Sequence, residues 1–287
     1  MIKVRRSFLL AVLLGVLLSA AVAYGQRPLR IRGERWLTVS EINGYVEIVP
    51  FQGERRQAQI GDFLDRAGDL LITGDNASAR LDVDQAVGYI RMAENSQLQI
   101  RALSVTQSGG YITDLFVLLG QVRLRIRPLT NPASRIEIYT PAGVTGVRGT
   151  DFGVTVQTEG TTGVATLEGS VASSAQGETV RVNTRQQSLT RPGEPPTPPE
   201  PLRDDPTLYI EVLRQLGGGQ TDDMGNPLVQ IAGFTDIVNL LDIEDDRKIL
   251  DEAGRFDLTV PLPANRRISA QVITPLGTVQ NYELVLP

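Results

Sequence analysis

The chain has 287 residues, 41% hydrophobic and 21% charged, with 28 Lys and Arg against 33 Asp and Glu and a formal net charge of −5. That balance gives no general electrostatic footprint for nucleic acid. The sequence has neither cysteine nor histidine, which closes disulfides, thiol catalysis, Ser-His and Cys-His nucleophiles and histidine-based metal sites; hydrolysis would need paired carboxylates or a Ser-Lys pair.

Lys3, Arg5 and Arg6 precede an uncharged apolar run at 8–18, followed by Ala21-Val22-Ala23. This is the pattern of a secretory signal peptide over residues 1–23, with cleavage expected after Ala23. The apolar stretch is shorter than the ~20 residues of a bilayer span, so membrane attachment is expected only if the signal stays uncleaved. Its removal takes away three basic residues and no acidic one, leaving 25 against 33 and a net charge of −8.

From 36 to 189 the pattern is strand after short strand. "QVRLRIRP" places Val122, Leu124 and Ile126 on one face and Arg123, Arg125 and Arg127 on the other. "QLQIRA", "RIEIYT" and "FGVTV" repeat the alternation, with turn chemistry such as Asn43-Gly44, Gly68-Asp69 and Gly109-Gly110 between runs. An all-β sandwich, barrel or solenoid follows. Seven of the 17 prolines then fall within 192–206. Because proline fixes φ and lacks an N–H, this segment is expected to stay out of any sheet as a semi-rigid linker. Asp205-Pro206 reads as an N-cap and first helical residue, and Tyr209, Val212, Leu213 and Leu216 follow at helical spacing before Gly217. The spacing predicts a short amphipathic helix over 207–217. Residues 228–287 alternate again, as in "GRFDLTVPL", "RISAQVIT" and "YELVLP", and predict a small immunoglobulin-like β-sandwich.

The densest cluster of glycines is "YTPAGVTGVRGTDFGVTV". A phosphate loop needs a lysine and a following helix, whereas Gly143, Gly146 and Gly149 are followed by a strand. They read as structural glycines at sheet corners, with Arg148 donating to a neighbour. Gly-Asp pairs could ligate calcium but more commonly accept from their own turn backbone. "DIEDD" at 242–246 begins like an EF-hand loop, yet Arg247 stands where glycine is needed. The stripe Arg123, Arg125, Arg127 is either an anion or partner contact or the wet face of a strand. Asp151, Glu159 and Glu168 are the carboxylates near the glycines that could serve hydrolysis. No cofactor is expected.

"IGDFLDRAGDLLITGDNASARLDV", "LLGQVRLRI", "IYTPAGVTGVRGTDFGVTV" and "GVATLEGSVASS" stand in this order, and together they resemble the FecR-type periplasmic domain of iron-dicitrate sensors over 34–191. The motif residues are Gly143, Gly146, Arg148, Gly149 and Thr150. The resemblance implies a β-solenoid-like fold with glycines at its corners, and contact with an envelope protein in place of catalysis. Family members that regulate iron uptake carry a cytoplasmic anti-sigma segment; with seven residues before the apolar run, this sequence is expected to lack it. "DEAGRFDLTVPLPANRRISAQVITPLG" is similar to small immunoglobulin-like modules. The expected whole is an exported, non-enzymatic binding or scaffold protein of the periplasm or cell surface with a protein or glycan partner. A signal-sensing component is the alternative, and a glycan-active enzyme stands behind both.

Overall fold

Alternation sorts the side chains onto two sheets that share one strand. The computed structural model describes residues 35–84, 87–217 and 219–286; the expected signal peptide lies outside them. The shared strand is Tyr111–Ile126. Its first half pairs with Gln97–Val105 and Arg135–Tyr139 in the second sheet. Its second half pairs with Gly88–Met92 and Asp151–Val156 in the first. The switch occurs at Gly120, whose φ of 89° only glycine adopts readily. Ser96, fully buried there, accepts from the Gln121 amide at 2.9 Å and donates to the Glu94 carbonyl at 3.0 Å. Ser96→Ala orphans that amide and is expected to cost about 1–2 kcal/mol in urea unfolding; an unchanged midpoint would count against this role.

Inward residues of both sheets meet in one apolar cluster. Val122, Leu124, Phe152 and Val154 come from the first sheet, and Leu115, Val117, Ile136 and Ile138 from the second. The all-β expectation holds, but the arrangement is not a coil of stacked parallel rungs. Every pairing in these sheets is antiparallel except Tyr111–Ile126 with Arg135–Tyr139. Short turns return the chain beside itself, and the corners expected of a solenoid become hairpin turns and sheet crossings.

The proline-rich segment also departs from expectation. Glu200–Pro201 pairs with Gln186 and Gln187 as an edge strand, and Thr197 and Leu202 donate their amides to Leu189 and Arg185 at 2.8 and 2.9 Å. Proline is tolerated at an edge because its missing N–H faces away from the partner. The expected helix at 207–217 is instead the strand Tyr209–Gln215. A β-bulge between Ile210 and Val212 inserts one residue, so Ile210 and Leu213 reach the same core at a spacing of three. Helical periodicity here is a bulge seen in one dimension. Asp205 accepts the Thr207 amide at 2.9 Å and forms a turn, not a helix cap.

The C-terminal strands form a second sandwich. Tyr209–Gln215, Leu228–Phe234 and Arg255–Pro261 make one sheet. Asp246–Lys248, Leu240–Ile243, Arg267–Ile273 and Val279–Val285 make the other. Val229, Ile231, Leu241, Ile268 and Val272 are completely buried between them. The described residues belong to one compact unit.

Candidate functional site

The outer face of the first sheet is polar, as the alternation requires, and two features divide it. Over one half, loops of the C-terminal sandwich are seated directly on the strands. Gly153 and Gly163 leave no side chain there, and a Cβ on Gly153 would stand 1.7 Å from the Pro275 carbonyl oxygen. Buried polar side chains then meet loop carbonyls. Gln121 Nε2 donates to Pro275 at 2.7 Å, Thr155 Oγ1 to Val238 at 2.6 Å, and Gln157 Nε2 to Ile237 at 2.9 Å. These side chains satisfy carbonyls that would otherwise be buried without partners.

Arg123 stands at the border. It holds Asp151 through two bonds, Nε to Oδ1 at 2.8 Å and Nη2 to Oδ2 at 3.0 Å, and also donates to the Leu276 carbonyl at 3.3 Å. Donation to the Asp151 carboxylate raises the Arg123 guanidinium above its ordinary pKa, against the opposing effect of burial. Arg123 is therefore committed to structure. Arg125 and Arg127 are exposed and have no side-chain partner among the described residues.

The other half of the face is an open groove of about 890 Å³ that Arg125 and Arg127 line. Its floor is a row of cross-strand neighbours, Thr38, Asp82, Tyr89, Arg125, Asp151 and Glu168, each the register partner of the next. Strand spacing sets them ~4.8 Å apart. The Arg80 guanidinium lies 4.4 Å from the centre of the Tyr89 ring and that of Arg91 at 5.5 Å, a stacked cation–aromatic arrangement. Arg80 is also paired with Asp82 at 3.1 Å and Glu41 at 2.9 Å, and Arg35 with Asp84. Once these pairs are discounted, Arg125, Arg127 and Glu168 carry the unneutralised charge in the groove. The hydroxyl of Thr150, in the wall, is buried without a hydrogen-bond partner.

The predicted motif residues separate. Gly149 and Thr150 line the groove, with Gly149 at a φ of 129° where the chain leaves the second sheet for the first. Gly143 and Gly146 belong to the second sheet's side of the crossing, where a Cβ on Gly143 would meet the Ser174 carbonyl oxygen at 2.5 Å and one on Gly146 would meet nothing within 4 Å. The Arg148 side chain is exposed and has no partner among the described residues, contrary to the donor role expected of it. Asp151 and Glu168 are register partners, whereas Glu159 sits past the far end of the strand Asp151–Val156, more than about 16 Å away along the chain. Asp242 is held by Arg247, through Oδ2 to Nη2 at 2.9 Å, and Glu244 and Asp245 form the tip of a hairpin. Asp69 accepts the amides of Phe51, Asp65 and Arg66. These carboxylates serve turns and ion pairs.

Tyr89, Arg80 and Asp82 were not among the predicted site residues. Their signal is the same alternation that exposed the arginine stripe: "ARLDV" and "GYIRM" put Arg80, Asp82, Tyr89 and Arg91 on the polar face. Which strands lie side by side could not be read from it.

The family model described as FecR protein matches residues 69–172, a span that includes the shared strand, the glycine-rich crossing and the groove-lining Arg80, Arg125 and Arg127. No curated protein matches the chain. Among solved structures, a candidate anti-sigma factor from Parabacteroides distasonis ATCC 8503 is similar at 10% identity and a TM-score of 0.38, over 46% of this chain and 59% of that one. A polysaccharide lyase is similar at 11% identity and a TM-score of 0.19, over 88% of this chain and 40% of that one. This chain thus spans less than two thirds of either neighbour. Residues 69–172 of this chain are similar to the FecR family.

Proposed function

We propose that this is an exported, non-enzymatic FecR-domain protein of the cell envelope that acts by binding, and that its partner, protein or glycan, contacts the open groove on the first sheet. The observation that carries this reading is the asymmetry of that face. One half is sealed by donor side chains that meet loop carbonyls, while the other leaves Arg125 and Arg127 exposed and unpaired. Charged side chains of an FecR segment with no internal partner are available to an external one. Hydrolysis fits less well: Asp151, the register partner of Glu168, is spent on Arg123. The C-terminal sandwich, in spatial order one-two-five and four-three-six-seven by its seven strands, is read as an immunoglobulin-like module that buttresses the face.

The FecR segment itself favours a second reading, a periplasmic signalling component whose output runs through a separate membrane partner. Both readings are tested by placing a photo-crosslinking residue at Arg127 in living cells, with the exposed Arg214 as control. A defined crosslinked species at position 127 and none at 214 is the expected result. Equal crosslinking at both positions would remove the groove as the contact surface. If deletion of the gene also changes transcription of a transport operon, the signalling reading gains over a scaffold.

A further inference from the structure

We infer that the groove takes an acidic saccharide, with Arg125 and Arg127 on its carboxylate or sulfate and Asp82 and Glu168 on its hydroxyls. This rests on the groove being the contact surface and specifies what occupies it. Arg125 is the next-to-last residue of its strand and Arg127 the first beyond its end, where its amide still donates to the Val87 carbonyl at 2.9 Å; two residues of extended chain set the two side chains ~7 Å apart. Two unpaired guanidinium forks at that spacing suit acidic groups that accept bidentate bonds. On the flanks of the same row are acceptors. Glu168 is exposed with no partner among the described residues, and Asp82 engages Arg80 through Oδ1, which leaves its Oδ2 open. Acceptor, donor and acceptor stand two strand spacings apart, ~9.6 Å each, because Tyr89 and Asp151 lie between them in the row; that separation matches an acidic ring flanked by hydroxyl-bearing rings of the same oligosaccharide.

A peptide is the poorer occupant. Peptide grooves take most of their affinity from apolar anchors in desolvated pockets, and here Ile126 is buried under the floor while Arg80 covers the Tyr89 ring. Consecutive phosphates fit less well, because Glu168 adds an unpaired negative charge to the same row. A volume of about 890 Å³ is near the upper end for small-ligand sites and suits several sugar rings laid along the sheet.

The test is calorimetric titration of the full chain with galacturonate and hyaluronan tetramers, with a neutral galactose tetramer beside them. Saturable binding of an acidic tetramer is expected, with the neutral one about tenfold weaker or more. Arg125→Met with Arg127→Met should lose about tenfold or more in affinity, and Arg148→Met, outside the groove, should stay within about twofold. Equal binding of acidic and neutral tetramers, native affinity in the double variant, or no saturable binding of either acidic tetramer overturns the assignment. If in that last case a protein crosslinks at position 127, the groove remains a contact surface and only its saccharide occupant falls. If nothing crosslinks there, both readings fall together.

Discussion

Gly153→Ala is expected to destabilise the protein by about 3 kcal/mol or more, although glycine to alanine within a strand ordinarily stabilises by ~0.5–1 kcal/mol. The sign reverses because the added methyl would stand 1.7 Å from the Pro275 carbonyl oxygen and 2.4 Å from its carbonyl carbon. Neither is the end of a flexible side chain, so the loop that carries Pro275 must lift. As it lifts, the bonds from Gln121 to Pro275 and from Arg123 to Leu276 stretch, each worth about 1 kcal/mol, on top of an overpacking cost of about 1–3 kcal/mol. Gly146→Ala is the matched control, because a Cβ there meets nothing within 4 Å; it should be neutral or slightly stabilising. Urea unfolding reads both, and limited proteolysis near Arg203 reports whether the C-terminal sandwich has come off its seat. A Gly153→Ala protein as stable as its Gly146→Ala counterpart would mean that the two sandwiches are not packed as described.

That contact also marks the limit of what the sequence disclosed. Strand identity was legible wherever alternation was strict, as in 121–126, 135–139 and 151–156, because a period of two sorts polar from apolar without knowledge of partners. The absence of a phosphate loop was legible too, from the strand that follows Gly149. Two local misreadings had physical causes. A bulge at Glu211 imitated helical spacing in a strand, and prolines on an edge mimicked a free linker. The larger gap concerned the polar face. "FGVTV" read as one more alternating strand, yet Asp151–Val156 is buried on both sides. Gly153, Gly163 and Ala165 give the reason in hindsight: small residues on an outward face allow another backbone to approach. Which backbone arrives is a matter of residues 75 to 122 positions away, Val238 over Gly163 and Pro275 over Gly153, and no local pattern encodes it. The groove was half legible for the same reason. Its arginines were visible as a stripe, but the row through Asp82, Tyr89 and Glu168 exists only once the strands are paired.

The three arginines of the stripe look equivalent in sequence, and the structure predicts that they are not. Arg123→Met should cost about 3–5 kcal/mol, the range for breaking a buried ion pair from one side. It strands the Asp151 carboxylate, whose side chain is 7% exposed, whereas that of Arg123 is 32% exposed. The lower end of the range is expected, because water reaches the guanidinium and screens part of the attraction. Arg125→Met and Arg127→Met should each stay within about 0.5 kcal/mol of the native protein, as exposed side chains without partners do. Chemical denaturation of the three variants decides it. Three equal costs would make the stripe a uniform structural feature and deprive the groove of its free cations. A large loss at Arg123 alone separates the roles: one arginine holds the strand Asp151–Val156 and the loop at Leu276 in place, and the two beside it are left free for a ligand. Adding Asp151→Leu to Arg123→Met should then recover much of the loss, because the stranded charge is removed with its partner. A double variant no more stable than Arg123→Met would show that the cost lies in the lost bond to Leu276 and in packing, not in an unpaired carboxylate.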